Sequence, residues 1–285
     1  MTFTHYLEQK RFTDATVKSY MLYIRIFTDW LNGEQLAASE FTYSELLAFI
    51  RCLFDQGKSK RSIHHLLGIV RHYCNYLIVE GQRDDNPAAG LYIKGIVRKL
   101  PGNLLPWADM EELYRAYSIQ LNVHRASKVI VGLLIYQGLT TEEVTRLEAV
   151  HIHGKEGKIF IRGTKRSNER WLPLAAPQLI ELQQYTQDSK LKTGPLLVTG
   201  RKKEISPTNI NNRIQHVLGQ LRQLNPRVIN AAQFRSSVIT HWLRGNNLRQ
   251  VQYMAGHKYV SSTQRYQLTT LEDLKSELQH HHPMS

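Results

Sequence analysis

Only two cysteines, Cys52 and Cys74, occur in 285 residues. Both fall inside apolar helical patterns, so they read as reduced core residues, and no disulfide frame is expected. Long apolar stretches are also missing. The longest run, "VIVGLLIY" at 129–136, is too short to span a membrane. The first residues, "MTFTHYLEQK", lack the charged-then-apolar order of a secretion signal, and a cytoplasmic location is expected. No glycine-rich loop precedes a Lys-Ser or Lys-Thr pair, so nothing points to ATP. His151 and His153, and the trio His280, His281 and His282, have no acid or thiol at ligand spacing. No metal and no small-molecule cofactor is therefore expected.

Negative charge is scarce. Lys and Arg number 37 against 24 Asp and Glu, a net charge of +13. Residues 155–235 hold 15 Lys/Arg and 5 Asp/Glu, so this stretch alone carries +10 of the total. Basic charge concentrated on part of a folded chain suits a polyanion, most often nucleic acid.

The first ninety residues carry helical periodicity only. Val17, Tyr20, Met21, Ile24, Phe27 and Leu31 recur at helical spacing, Thr42 and Glu45 form a capping-box pattern, and Gly57 is a natural stop. Over 60–80, Ile63, Leu66, Leu67, Val70, Cys74 and Leu77 make one apolar face. The opposite face carries Lys60, Arg61, His64, Arg71, His72 and Asn75, which suits a helix against phosphates. Residues 86–105, rich in Pro and Gly and carrying Lys99, read as a linker.

Beyond it the pattern is mixed. "ASKVIVGLLIYQ" reads as a helix, while in "GKIFIRGTKRSNERWLPL" Ile159 and Ile161 alternate before a polar turn and Leu172, a β-hairpin. "SPTNINNRIQHVLGQL" opens a helix with Ser206 and Pro207. The expected fold is mostly α with a small antiparallel β-hairpin or sheet. A helical domain over 1–85 is joined by the linker to a mixed α+β domain over 106–285.

A cationic set with one tyrosine remains for chemistry: Lys165 and Arg170 on the hairpin, Arg235, His257, and Tyr266 nine residues after that histidine. Singly, each reads equally as a surface charge, a loop histidine or a packed aromatic. Together the segments resemble the tyrosine recombinases of the phage-integrase superfamily, in the Xer-like layout. "YSELLAFIRCLFDQGKSKRSIHHLLGIVRHYCNYLIVEG" leading into "NPAAGL" is similar to that family's core-binding domain. "GTKRSNERWLPL" resembles its lysine hairpin, "FRSSVITHWL" its second arginine box and "YMAGHKYVSSTQRY" its last box.

The resemblance implies a site-specific recombinase or integrase working through a 3′-phosphotyrosyl link. The implied catalytic residues are Tyr266, Arg235, His257 and Lys165, with no metal, no ATP and a homotetramer on a double-stranded DNA site. From their positive charge, DNA contact is expected from Lys60, Arg61, His64, Arg71, Lys99, Arg170 and Lys202. His241, in "THWL", reads as packing. Two positions depart from the family pattern: Thr140 stands where the first arginine is usual and Ala232 where the second box has a histidine or lysine. The hairpin arginines Arg162, Arg166 and Arg170, or Gln233 and Asn230, are candidates to compensate; Arg146 lies on a different helix face from Thr140. Two alternatives stay open, a cleavage-impaired DNA-binding relative and an unrelated basic helical regulator. After Tyr266, Leu268, Leu271, Leu274 and Leu278 fall on one helical face that would dock on a neighbouring protomer.

Overall fold

The computed structural model describes residues 1–96, 102–120, 125–188, 193–197 and 207–267. These residues are mostly helical, with one three-stranded antiparallel sheet. The chain folds as two units, Met1–Arg98 and Lys99–Ser285.

The first unit holds four helices: α1 (Phe3–Gln9), α2 (Asp14–Gly33), α3 (Tyr43–Asp55) and α4 (Lys60–Val79). Each starts at a Ser or Thr that interrupts the apolar period, and hydroxyls of Thr2, Thr13 and Ser59 accept first-turn amides. The Glu45 carboxylate accepts the Thr42 amide, completing the capping box seen in the sequence. The apolar faces meet in one core, where the Phe27 ring packs 5.0 Å from both Phe41 and Phe49. Cys74 is fully buried there as a free thiol, and burial pushes its pKa up to about 12; Cys52 is free and half-buried. Arg83 closes the bundle. Its guanidinium donates to the carbonyls of Ala38 and Phe41 and to Asp85 Oδ1 at 2.8 Å, and it lies over the Phe41 ring.

The polar face of α4 divides in two. Lys60, Arg61 and His64 are exposed. Arg71 is half-buried and committed to the fold: its Nε and an Nη donate to the carbonyls of Ala88 and Leu91, both at 3.0 Å, and the group stacks on Tyr92. Its guanidinium thus holds the chain after α4 in place.

In the second unit, α5 (Trp107–Gln120) and α6 (Arg125–Tyr136) come first. Helix α6 contains the longest apolar run and is buried from Ala126 to Ile135, packed by α5, α8, α9 and α10. A polar face would serve no purpose at such a position. The short α7 (Thr141–Thr145) leads to β1 (Ile152–His153), β2 (Lys158–Ile161) and β3 (Arg170–Pro173), in sheet order β1-β2-β3. The register pairs Ile159 with Leu172, Phe160 with Trp171 and Ile161 with Arg170. Ile159, Ile161 and Leu172 therefore point into the core, and the Phe160 and Trp171 rings pair on the outer face at 5.0 Å. Then follow α8 (Ala176–Asp188), α9 (Pro207–Leu224), α10 (Ala231–Gly245) and α11 (Leu248–Ala255), with a last helical stretch over 260–267. His241 stacks on Trp107 at 4.2 Å, a packing contact as expected. No helix among the described residues is long and apolar enough to cross a membrane.

Candidate active site

Helix α10 begins at Asn230, whose Oδ1 accepts the Gln233 amide, and this sets Arg235 at the end of the first turn. The Arg235 guanidinium is nearly enclosed. One Nη donates to the Gly138 carbonyl at 2.8 Å and the other to the Ala255 carbonyl at 2.5 Å, and Glu143 Oε2 stands 3.7 Å away. Backbone carbonyls from two directions thus fix the plane of the group.

Glu143 is the hub beneath it. Its side chain is wholly buried. Thr140 and Glu143 form a capping box, in which the Thr140 amide donates to Glu143 Oε2 at 2.9 Å. Glu143 Oε1 accepts from Arg170 at 2.7 Å, and Arg170 Nε donates to the Met254 carbonyl at 2.7 Å. Burial alone would raise the Glu143 pKa; the hydrogen bond and charge of Arg170, then the charge of Arg235 and the Thr140 amide, overcome it and hold the carboxyl at about 2. One carboxylate therefore ties together α7, β3, α10 and the end of α11.

The hairpin loop closes over this hub. Thr164 Oγ1 accepts the amides of Arg166 and Ser167, which tightens the turn, and Lys165 stands exposed on it. Ser167 forms a β-bridge with His257, and the Asn168 amide donates to the Gly256 carbonyl at 2.8 Å. The lysine-bearing turn is thus pinned by backbone to the histidine. Gly256 ends α11 in the left-handed region, φ 67°, and a β-carbon there would meet an Nη of Arg170 at 2.5 Å and the Asn168 carbonyl oxygen at 2.9 Å. Gly256→Ala is expected to cost on the order of 2 kcal/mol in backbone strain and displaced contacts, read as a lower thermal transition of the C-terminal unit; an unchanged transition would show that the approach relaxes freely.

His257 follows. Its Nδ1 lies 2.9 Å from Thr263 Oγ1, and its ring stacks on Tyr266 at 5.9 Å with planes 14° apart. Burial, then the charges of Arg235, Arg170 and Arg265, lower its pKa to about 4, so the ring is neutral near pH 7. Tyr266 is half-buried on the 260–267 helix. It packs against the small cluster of Ile239, Val251 and Ala255, and lies within electrostatic reach of Arg235.

Arg235, His257 and Tyr266 come together from three parts of the chain, and Lys165 sits on the turn clipped to His257. Lys60, Arg61 and His64 lie in the first unit. Arg170 is corrected from a DNA contact to an internal ion pair: its side chain has no solvent exposure, because register with Ile161 turns it inward onto Glu143. Gln233 and Asn230 are likewise committed. Gln233 Nε2 donates to the carbonyls of Asn103 and Arg227, and Asn230 caps α10. Arg162 is exposed and pairs with Glu148, Arg146 with Glu142. Lys99, Lys202, Ser206, His280, His281, His282, Leu268, Leu271, Leu274 and Leu278 lie outside the described residues. Sequence reasoning passed over Glu143 and Thr263, with the "TTEE" capping pattern the available signal for the first, whereas Gly256 ends α11 where a helix stop is expected.

Comparison with known proteins gives the same picture. A curated relative, the tyrosine recombinase XerC of Oceanobacillus iheyensis, is 27% identical and aligns over 99% of this chain and 95% of its own. XerD of Proteus mirabilis is 29% identical over 94% of this chain and 87% of its own. In fold, the chain is similar to a lambda integrase (75–356) dimer bound to a COC′ core site, with a TM-score of 0.68, 17% identity, and coverage of 93% of this chain and 92% of that one. The model of the phage integrase N-terminal SAM-like domain matches residues 1–81. The phage integrase family model matches 105–272, the span that holds Lys165, Arg235, His257 and Tyr266, and the chain belongs to that family.

Proposed function

We propose that this protein is a site-specific DNA recombinase or integrase that cuts and rejoins DNA through a 3′-phosphotyrosyl intermediate at Tyr266. The observation that carries the reading is the grouping of Tyr266, His257 and Arg235 in one place, with the Lys165 turn pinned beside it. Residues 1–85 serve as the DNA core-binding domain, 86–105 as the linker and 106–285 as the catalytic domain. The partners are a double-stranded DNA site and three further copies of this chain, and the reaction takes place in the cytoplasm. Exposed Lys60, Arg61 and His64 supply contacts to DNA in the first domain, and Lys99 and Lys202 supply further charge.

In the proposed reaction Tyr266 gives up its phenolic proton to water and its oxygen attacks the scissile phosphorus. The new O–P bond replaces the bond to the 5′-oxygen, which takes a proton from Lys165 and leaves as a hydroxyl. A phenol has a pKa of ~10, so nearby cationic charge is needed to favour its attacking form. Arg235 offers N–H groups to the non-bridging oxygens, and neutral His257 adds a hydrogen bond. A 5′-hydroxyl from another strand reverses the step, releases the tyrosine and conserves the bond. No high-energy cofactor is required.

Family membership replaces the reading as an unrelated basic regulator. A second reading within the family keeps a specific observation behind it. Thr140, at the position matched to the first arginine, is neutral, and its hydroxyl and amide are spent on capping α7. Ala232, matched to the second-box histidine, has no donor. Loss of one preorganised donor typically costs about 10²–10³ in rate. A cleavage-impaired relative that occupies recombination sites would follow from two such losses.

A nicked suicide duplex separates the two. Binding sites are first selected from a randomised 30-bp pool, then rebuilt with a nick beside each candidate phosphate. A covalent protein–DNA adduct on a denaturing gel is the result expected of the recombinase. Sequence-specific binding with no adduct at any nick position would establish the binding-only reading.

A further inference from the structure

We infer that Thr263 is a positioning residue that fixes His257 as the neutral Nε2–H tautomer, the form able to donate to a phosphate oxygen; the catalytic consequence rests on the recombinase reading above. Thr263 has no solvent exposure and sits on the 260–267 helix, three residues before Tyr266. Its Oγ1 lies 2.9 Å from His257 Nδ1, and this is the one hydrogen bond of that hydroxyl among the described residues.

The proton placement follows from what each group has to offer. A neutral imidazole carries one N–H, and a threonine hydroxyl carries one O–H. If Nδ1 held the ring proton, it would donate to Thr263, and the buried hydroxyl hydrogen would have no acceptor. Nε2 would then present a lone pair to an incoming phosphate. If the hydroxyl donates to Nδ1 instead, its hydrogen is satisfied and the ring proton sits on Nε2. A buried donor left without an acceptor is the costlier arrangement, so the second is adopted. Burial, then the positive charges of Arg235, Arg170 and Arg265, keep the ring neutral, so that the choice lies between its two tautomers, and the buried carboxylate of Glu143 opposes them only in part. A histidine held neutral near pH 7 beside three arginines still becomes a donor, by way of one hydroxyl. The same link ties the loop after Gly256 to the helix of the nucleophile.

The test uses full-length protein with ¹⁵N-labelled histidine. The His257 signals, assigned by their loss in His257→Gln, are followed in long-range ¹H–¹⁵N spectra at neutral pH. The wild type is expected to show the Nε2–H pattern, Thr263→Ser to keep it, and Thr263→Val to show a mixture of tautomers. On the suicide duplex, Thr263→Val is expected to slow adduct formation about 10-fold or more, with Thr263→Ser close to wild type. An Nδ1–H pattern in the wild type, or an unaltered tautomer in Thr263→Val, would overturn the assignment. The spectra require no cleavage, so a wild type that forms no adduct would remove the recombinase reading while the tautomer still decides the role of Thr263.

Discussion

Tyr266→Phe is expected to abolish the covalent adduct on a suicide duplex, by at least about 10⁴-fold, while leaving DNA affinity within about twofold. The physical case is narrow because the substitution is narrow. The ring of residue 266 stacks on His257 and packs on the cluster of Ile239, Val251 and Ala255. Phenylalanine keeps both contacts and removes one oxygen, so the fold and the basic surface that meets DNA are retained. An adduct that persisted would require another nucleophile. Tyr259 is the alternative to examine, since it is 72% exposed in the turn after His257. Adduct lost with Tyr259→Phe and kept with Tyr266→Phe would displace the proposed chemistry to that residue.

Local pattern made much of the fold legible. The Thr42–Glu45 pair marked the start of α3, apolar period marked α2 and α4, and alternation with a polar turn marked the hairpin, because these signals depend on neighbours in sequence. What local pattern left unread concerns charged residues taken by type instead of by phase. Arg170 is two residues before Leu172 on one strand, so it shares the inward face with that core leucine. Arg71 lies four residues after Leu67 and three before Cys74, at the edge of the buried face of α4. Both phases were visible, yet a cation invites the reading of a surface contact. The link between Thr263 and His257 was not legible in this way. It depends on the left-handed turn at Gly256 and on the hairpin held against it, which no local period encodes.

The same hub predicts the largest loss of stability. Glu143→Ala is expected to lower the stability of the C-terminal unit by about 3–5 kcal/mol, because it leaves the buried Arg170 charge without its carboxylate and Arg235 without its neighbour. Glu143→Gln retains shape and a hydrogen-bonding oxygen but not the charge, so its loss should be smaller and its pH response diagnostic. The carboxyl is held at about 2 in the folded protein, below its ordinary value of 4.5. A depressed acid stabilises the fold fully above that ordinary value and loses its contribution as pH falls toward the folded one. The gap in melting temperature between wild type and Glu143→Gln should therefore be widest near pH 6 and shrink from pH 4.5 toward pH 3. His257 titrates in both proteins and largely cancels from the difference. A gap that stayed constant with pH would mean that Glu143 acts through its shape and not its charge, and the four elements it joins would then be held by packing alone.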